Sequence, residues 1–223
     1  MGQFQIQFSA IPDKSLQKQF NPYFTYTVYA DVTDQNGETR SSQTAVSVGY
    51  QALVLKLDLA ENLNQTTTKT VKLLATNLAG KPEKTQGSIA IYKLIAPDKV
   101  VVPRPHSTPD RPLISKNSFE KLFPQLPLAN ENEFINWQTG ECYLETKFNT
   151  EIDSLLNLNE ISNWPQGVYK FVLKAKDAFG TPVEAVQYAT LFNPNASKLP
   201  YPTAFYMVPI KTVCEPGEEA SVL

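Results

Sequence analysis

The chain holds one histidine, His106, and two cysteines, Cys142 and Cys214, the residues with the most distinctive chemistry. A Ser-His-Asp catalytic arrangement would have to use His106, with Ser107 and Asp110 beside it in "PRPHSTPD". Triad members converge from separate elements around a rigid oxyanion site, so three neighbours on one proline-rich connection read more plainly as an exposed loop. Cys142 sits in "GECYLE" and Cys214 in "VCEPGE". Their spacing suits no zinc site and two cysteines make no disulfide framework, so two unpaired thiols are expected. Paired carboxylates for glycoside hydrolysis are offered by Glu131 and Glu133 and by Glu218 and Glu219, but no cleft pattern accompanies them, and solvated loop charge is the plainer reading. "DVTDQNGETR" approaches a calcium loop, with Gly37 in the glycine position and Asp34 and Asn36 as ligands; the first and last ligand positions are Val32 and Gln43, which cannot serve. No catalytic residue, metal or cofactor is expected, and the chain reads as a non-enzyme.

Aromatic side chains are the remaining candidates. Trp137, Trp164, Tyr143, Phe119 and Phe123 could form a platform for glycan or peptide. Trp164 precedes Pro165 and Gly167 at a strand entry and should pack on the core. Trp137 precedes the turn-like "QTGE" and has the better claim to exposure. The expected interaction surface is Arg104, His106, Phe119, Phe123 and Trp137. Asn64-Gln65-Thr66 and Asn195-Ala196-Ser197 match the glycosylation acceptor, a match short enough to arise by chance.

The elements that would position these residues are mostly strands. Prolines (17) outnumber glycines (9), and apolar segments are rich in Val, Thr, Tyr and Phe. "GQFQIQFSAIPD" alternates Phe4, Ile6 and Phe8 against glutamine, predicting a half-buried strand that ends at Pro12-Asp13. Residues 24–51 predict a hairpin about "TDQNGE". Between residues 98 and 135 proline is too frequent for ladder pairing, which predicts an insertion with a short helix. Ser115 or Ser118 would cap that helix, Phe119, Leu122 and Phe123 share one face, and Pro124 ends it. "CYLETKF" predicts a strand and residues 193–203 a linker.

One device recurs. Asp34 and Gly37, Asn77 and Gly80, and Asp177 and Gly180 each place a capping side chain three residues before a glycine, and Tyr26 and Tyr169 each stand eight residues before their Asp. These six turn residues are expected to be structural, in three hairpins that share one turn chemistry. The repetition suggests an array of related β modules.

In this order along the chain, the motifs resemble those of the alpha-2-macroglobulin family, and especially bacterial surface proteins built from macroglobulin-type sandwiches. The resemblance rests on "YTVYADVTDQNGET" at 26–39, "TNLAGKP" at 76–82, the run from Gly167 to Gly180, and "KTVCEPGEEA" at 211–220. It implies antiparallel β-sandwich domains of macroglobulin, fibronectin-III or immunoglobulin-like type. Residues 1–50 would be the later part of a first sandwich, 51–193 a second with an insertion at 98–135, and 194–223 a linker with the opening strand of a third. It further implies a non-catalytic segment of a secreted or surface-anchored protein that entraps or inhibits proteases. The segment would be extracellular or periplasmic, held at the cell envelope through its parent, with the parent's own domains as partners and proteases reached through it. The family's Gly-Cys-Gly-Glu-Gln thioester has no counterpart at Cys142 or Cys214. The alternative is a glycan- or peptide-binding module of an adhesin or uptake system.

With 20 basic and 22 acidic residues the net charge is −2, which gives no field for nucleic acid. No apolar run approaches the roughly 20 residues that span a bilayer. A chain that enters directly into alternation and stops as a new alternation begins is expected to be part of a longer protein, and to self-associate by strand exchange at its ends.

Overall fold

A computed structural model describes residues 5–11, 13, 15–16, 22–104, 106, 111, 113–128, 130–210 and 214–223. Phe4, Pro12, Ser107 and Asp110 lie outside the described residues, as does part of the 211–220 motif.

The chain is mostly β. Strands β1 (Tyr23–Thr33) and β2 (Thr39–Gly49) form a two-stranded sheet of their own. Strands β3 (Leu53–Asp58), β5 (Thr70–Asn77) and β8 (Leu155–Asn157) form a three-stranded antiparallel sheet in the order β3-β5-β8. Strands β4 (Asn62–Asn64), β6 (Gln86–Ile95), β7 (Gln138–Asn149), β9 (Gly167–Lys176) and β10 (Pro182–Phe192) form the second layer, ordered β4-β10-β9-β6-β7. Its pairs are antiparallel except β10 with the short β4.

Burial follows the strand period of two. β3, "LVLKLD", buries Leu53, Leu55 and Leu57 and exposes the residues between. Those leucines meet Val71 and Leu73 of β5 and, from the other layer, Ile89, Ile91, Phe171 and Leu173 in one core cluster. β9 lies inside its sheet, flanked by β10 and β6, and begins with three consecutive buried residues. The Gln187 side chain of β10 joins the layers: its Oε1 accepts the Leu57 N–H at 2.5 Å and its Nε2 donates to the Leu57 carbonyl at 3.1 Å.

The three repeated turns share one hydrogen-bond pattern. In each, the Asp or Asn Oδ1 accepts backbone N–H groups two and four residues on: Asn36 and Glu38 to Asp34, Ala79 and Lys81 to Asn77, Phe179 and Thr181 to Asp177, all at 2.8–3.0 Å. The glycines at the turns' ends take φ of +86°, +77° and +82°, a region closed to most side chains. Two of these turns close hairpins, β1–β2 and β9–β10. The middle turn does not. After it the chain bridges Pro82 to Thr76 and then crosses to the other layer, because β5 pairs with β3 and β8 whereas β6 pairs with β7 and β9.

The N-terminal alternation forms no strand among the described residues. Ile6 and Phe8 remain about half exposed, and the segment instead rests against the hairpin, with Phe8 5.5 Å from Tyr26 and the Tyr26 hydroxyl donating to the Ile11 carbonyl at 2.8 Å. A period-two pattern supplies an apolar face but no ladder partner, and here the partner is lacking.

Between β6 and β7 lies a long segment that is irregular apart from one short helix and one 3-10 turn among the described residues. Helix α1 (Lys116–Leu122) is capped by Ser115, whose Oγ accepts the Ser118 N–H, and Phe123 and Pro124 follow it. It buries no residue. After β10 the chain folds back. Val208 and Ile210 pair with Leu223 and Ser221, and Val208 is buried. The expected opening strand is thus an isolated bridge in a returning tail, because its donors find partners within the tail and not in a sheet.

Candidate functional site

The expected interaction residues divide into two groups. Arg104 and Phe119 belong to the insertion: the guanidinium lies 4.5 Å above the Phe119 ring and its Nε donates to the Pro127 carbonyl at 2.6 Å. Phe119 in turn contacts Phe123 at 5.4 Å. This trio ties the insertion to itself, leaving Phe123 45% exposed. His106 is exposed and joins no ring contact among the described residues. Trp137 is in different company.

A short 3-10 helix, Phe134–Asn136, carries the chain into β7. It is shaped by Asn130, the one described non-glycine residue with positive φ (58°), whose carbonyl accepts the Glu133 N–H and the Asn136 side-chain amide. Asparagine tolerates this left-handed conformation better than most residues. Trp137 is half-buried and its indole N–H donates to the Glu131 carbonyl at 2.7 Å. Its polar atom is thereby satisfied within the loop, and its ring is left to pack.

That ring packs into an aromatic set drawn from three segments. Phe134 and Trp137 come from the end of the insertion, Tyr188 from β10, and Tyr201 and Tyr206 from the tail after β10. Ring centroids are 4.9 Å apart for Phe134–Trp137, 5.7 Å for Phe134–Tyr201, 5.5 Å for Trp137–Tyr201 and 6.3 Å for Tyr201–Tyr206, each pair close to edge-to-face. Phe134 also reaches Tyr188 at 6.5 Å. The tail is held in place by Gln166, which donates to the Lys198 carbonyl at 2.7 Å, and by Tyr206, whose hydroxyl donates to Asn62 Oδ1 at 3.0 Å.

Phe134, Tyr188, Tyr201 and Tyr206 of this set line a surface cleft of about 530 Å³, and Trp137 packs behind them. Glu61, Asn62 and Thr190 line it from the β4–β10 edge, and Phe205 and Met207, 75% and 61% exposed, line it from the tail. Burial raises the Tyr188 and Tyr201 hydroxyls above the usual tyrosine range. Burial, with the neighbouring Tyr201 hydroxyl adding to it, pushes Tyr206 up to about 12. All three phenols are therefore neutral at physiological pH, and the cleft disfavours developing anionic charge.

A second cavity, about 500 Å³, lies at the other end of the β9–β10 hairpin, beside the Asn77 and Asp177 turns. Several of its polar side chains are engaged with one another or with backbone. Lys84 pairs with Glu151 at 2.6 Å, Asn77 Nδ2 donates to Glu83 at 3.2 Å, and the Asp177 carboxylate accepts from Ala52, Phe179 and Thr181. These backbone donors, the Ala52 N–H foremost, hold Asp177 below the usual carboxylate range. This is the chemistry of a structural anchor.

Trp164, expected in the core, is 5% exposed and stacks on Tyr169 at 5.3 Å, with Tyr143 5.5 Å from both. Cys142 is exposed on β7 and Cys214 half-buried in the tail, and the two are not bonded to each other. Among the described residues no three His, Cys, Asp or Glu side chains are placed to hold a metal ion, and no helix is long and apolar enough to cross a membrane.

Of the residues singled out in the sequence, Trp137 packs against the cleft's rings without lining it, and the lining residues Phe134, Tyr188, Tyr201, Tyr206 and Glu61 are not among the expected interaction residues. A signal was present in "LPYPTAFYMVP", where three aromatic residues fall within six positions. A linker has no physical need for such density.

No protein-family model matches the chain, and no curated protein matches it significantly.

Proposed function

We propose that this chain is a non-catalytic interaction module whose ligand surface is the aromatic cleft between the β4–β10 edge, the end of the insertion and the tail. The observation that carries the reading is the convergence of Phe134, Tyr188, Tyr201 and Tyr206 around an accessible cleft, with Trp137 packed behind Phe134 and Tyr201. Rings gathered for core packing alone would be fully covered, whereas Phe134, Tyr188, Tyr201 and Tyr206 are each only half-buried. The test is a screen of glycans and peptides against the native chain and Tyr201→Ala, with thermal melting as the folding control. Binding that Tyr201→Ala abolishes and Phe119→Ala leaves unchanged supports the reading. Binding that follows Phe119 instead moves the surface to the insertion and defeats it.

The threefold Asx-Gly turn favours a second reading, a scaffold segment of a macroglobulin-type protein at the bacterial cell envelope. It predicts a Gly-Cys-Gly-Glu-Gln motif encoded elsewhere in the same reading frame, and protease trapping by that whole protein. An open reading frame without such a motif, whose product leaves proteases untouched, removes it.

A further inference from the structure

The cleft has a definite electrostatic character. Glu61, immediately before β4, is exposed and is the one acidic residue lining the cleft, and none of the described lining residues is basic. The other walls are mainly the rings of Phe134, Tyr188, Tyr201 and Tyr206. An aromatic face presents negative potential, so rings and carboxylate favour the same kind of ligand. An anion would meet that potential without a lysine or arginine to offset it.

Ring orientation separates the remaining classes. A sugar stacks on the open face of a ring. Around Tyr201 the lining rings of Phe134 and Tyr206 stand at 86° and 81° to it, so the rings do not share one plane as a stacking platform would. Rings set steeply to one another, with an acidic residue and no basic one among the lining, suit a compact, weakly hydrated positive group that can touch several rings at once. Building on the interaction-module reading above, the geometry points to recognition of a quaternary or highly alkylated ammonium group, held by Glu61 and by Phe134, Tyr188, Tyr201 and Tyr206. Such a group is available on a small molecule of the choline type or on a trimethylated lysine side chain.

The test is calorimetric titration of the native chain with three probes: choline, its tert-butyl analogue in which carbon replaces the charged nitrogen, and a short peptide bearing trimethyllysine. Choline is expected to bind about tenfold more tightly than the neutral analogue, the scale of a desolvated cation–ring contact. Glu61→Gln should weaken choline several-fold and Tyr201→Ala should abolish its binding. Phe119→Ala, in the separate insertion cluster, should leave it unchanged. Glu61 is exposed, so Glu61→Gln carries the test even if Tyr201→Ala melts early. Tighter binding of the peptide than of choline assigns the cation to a protein partner; the reverse assigns it to a small molecule. Equal affinity for choline and its neutral analogue overturns the inference. So does choline binding indifferent to Glu61→Gln. If neither cation binds but a neutral glycan or an unmodified peptide binds and Tyr201→Ala abolishes that, the cation inference falls while the module reading stands. If nothing binds, both fall.

Discussion

The hairpins β1–β2 and β9–β10 are written in nearly the same local code and have opposite surroundings. Each carries, near the start of its first strand, a tyrosine whose hydroxyl donates to an upstream carbonyl, Tyr26 to Ile11 and Tyr169 to Pro165. Each turns on an Asp whose Oδ1 accepts two backbone N–H groups, and each ends the turn on a glycine with φ near +85°. Yet β9 opens with Val168, Tyr169 and Phe171 at 1% exposure or less, while β1 buries nothing fully and leaves Tyr29 72% exposed. The turn fixes how a chain reverses. It says nothing of whether a second layer will cover the result, and most of a strand's stabilisation comes from that cover.

The comparison can be broken most sharply at matched positions two residues after each tyrosine. Phe171→Ala empties a fully buried site and should lower stability by about 3–5 kcal/mol. Val28→Ala, half-buried on the isolated hairpin, should lower it by about 1 kcal/mol or less. Chemical denaturation of both variants measures the gap, and equal losses would mean that the first hairpin is as deeply integrated as the second.

Two glycines sharpen it next. A Cβ at Gly87, on β6 beside β9, would meet the Lys174 carbonyl oxygen and approach the Phe148 ring to 2.6 Å. Gly87→Ala should therefore cost about 1–3 kcal/mol through crowding. Gly37 has open space where its Cβ would be, so Gly37→Ala meets only the penalty of positive φ, about 1 kcal/mol. A melting series in which Gly37→Ala proves the more damaging would reverse this ranking.

The two aspartates differ by one hydrogen bond. Asp177 Oδ2 also accepts the Ala52 N–H, 3.1 Å away, which pins the entry of β3 to the turn. Asparagine can make the turn itself, as Asn77 does, but at 177 its amide nitrogen would face a backbone donor. Asp177→Asn should lower the melting temperature at neutral pH, and Asp34→Asn should leave it nearly unchanged. The Asp177 carboxyl is depressed in the folded chain, so its contribution is present above the unfolded value of 3.8 and is lost as pH falls through the lower folded value. The deficit of Asp177→Asn against the native chain should thus shrink below about pH 4. A deficit that is constant from pH 7 to about pH 2 would remove the charge from the explanation.

The smallest contrast is the hydroxyl of each tyrosine. Tyr169 is 1% exposed, and burial, aided by Tyr143 and Glu141, raises its hydroxyl far above the usual range. Tyr169→Phe leaves the Pro165 carbonyl without its donor and should cost about 1 kcal/mol. Tyr26→Phe, where water can replace the donor, should cost roughly a few tenths. Loss of fold in Tyr26→Phe would show that the N-terminal segment is an integral wall of the hairpin.

Much of this architecture could be read locally. Strand alternation in "LVLKLD", the Ser115 cap with Pro124 beyond it, and the recurring Asx-Gly turn are dictated within a few residues, because period, capping and positive φ are short-range properties. What the chain does with those pieces depends on contacts between distant residues. The Asn77 turn has the local form of a hairpin and becomes a crossover because β6 finds its partners in the other layer. "QFQIQF" has the alternation of a strand, yet its described residues, Gln5 to Phe8, lie in none. Glu61, Phe134, Tyr188 and Tyr201 are unremarkable where they stand in the chain and form one cleft only because the tail folds back across the β4–β10 edge. The amino-acid sequence by itself determined the β class, the turns and the capped helix, all set by neighbours along the backbone. Only the tertiary structure decided which hairpin would be covered and which aromatic rings would meet, since burial and convergence depend on residues that the chain order keeps far apart.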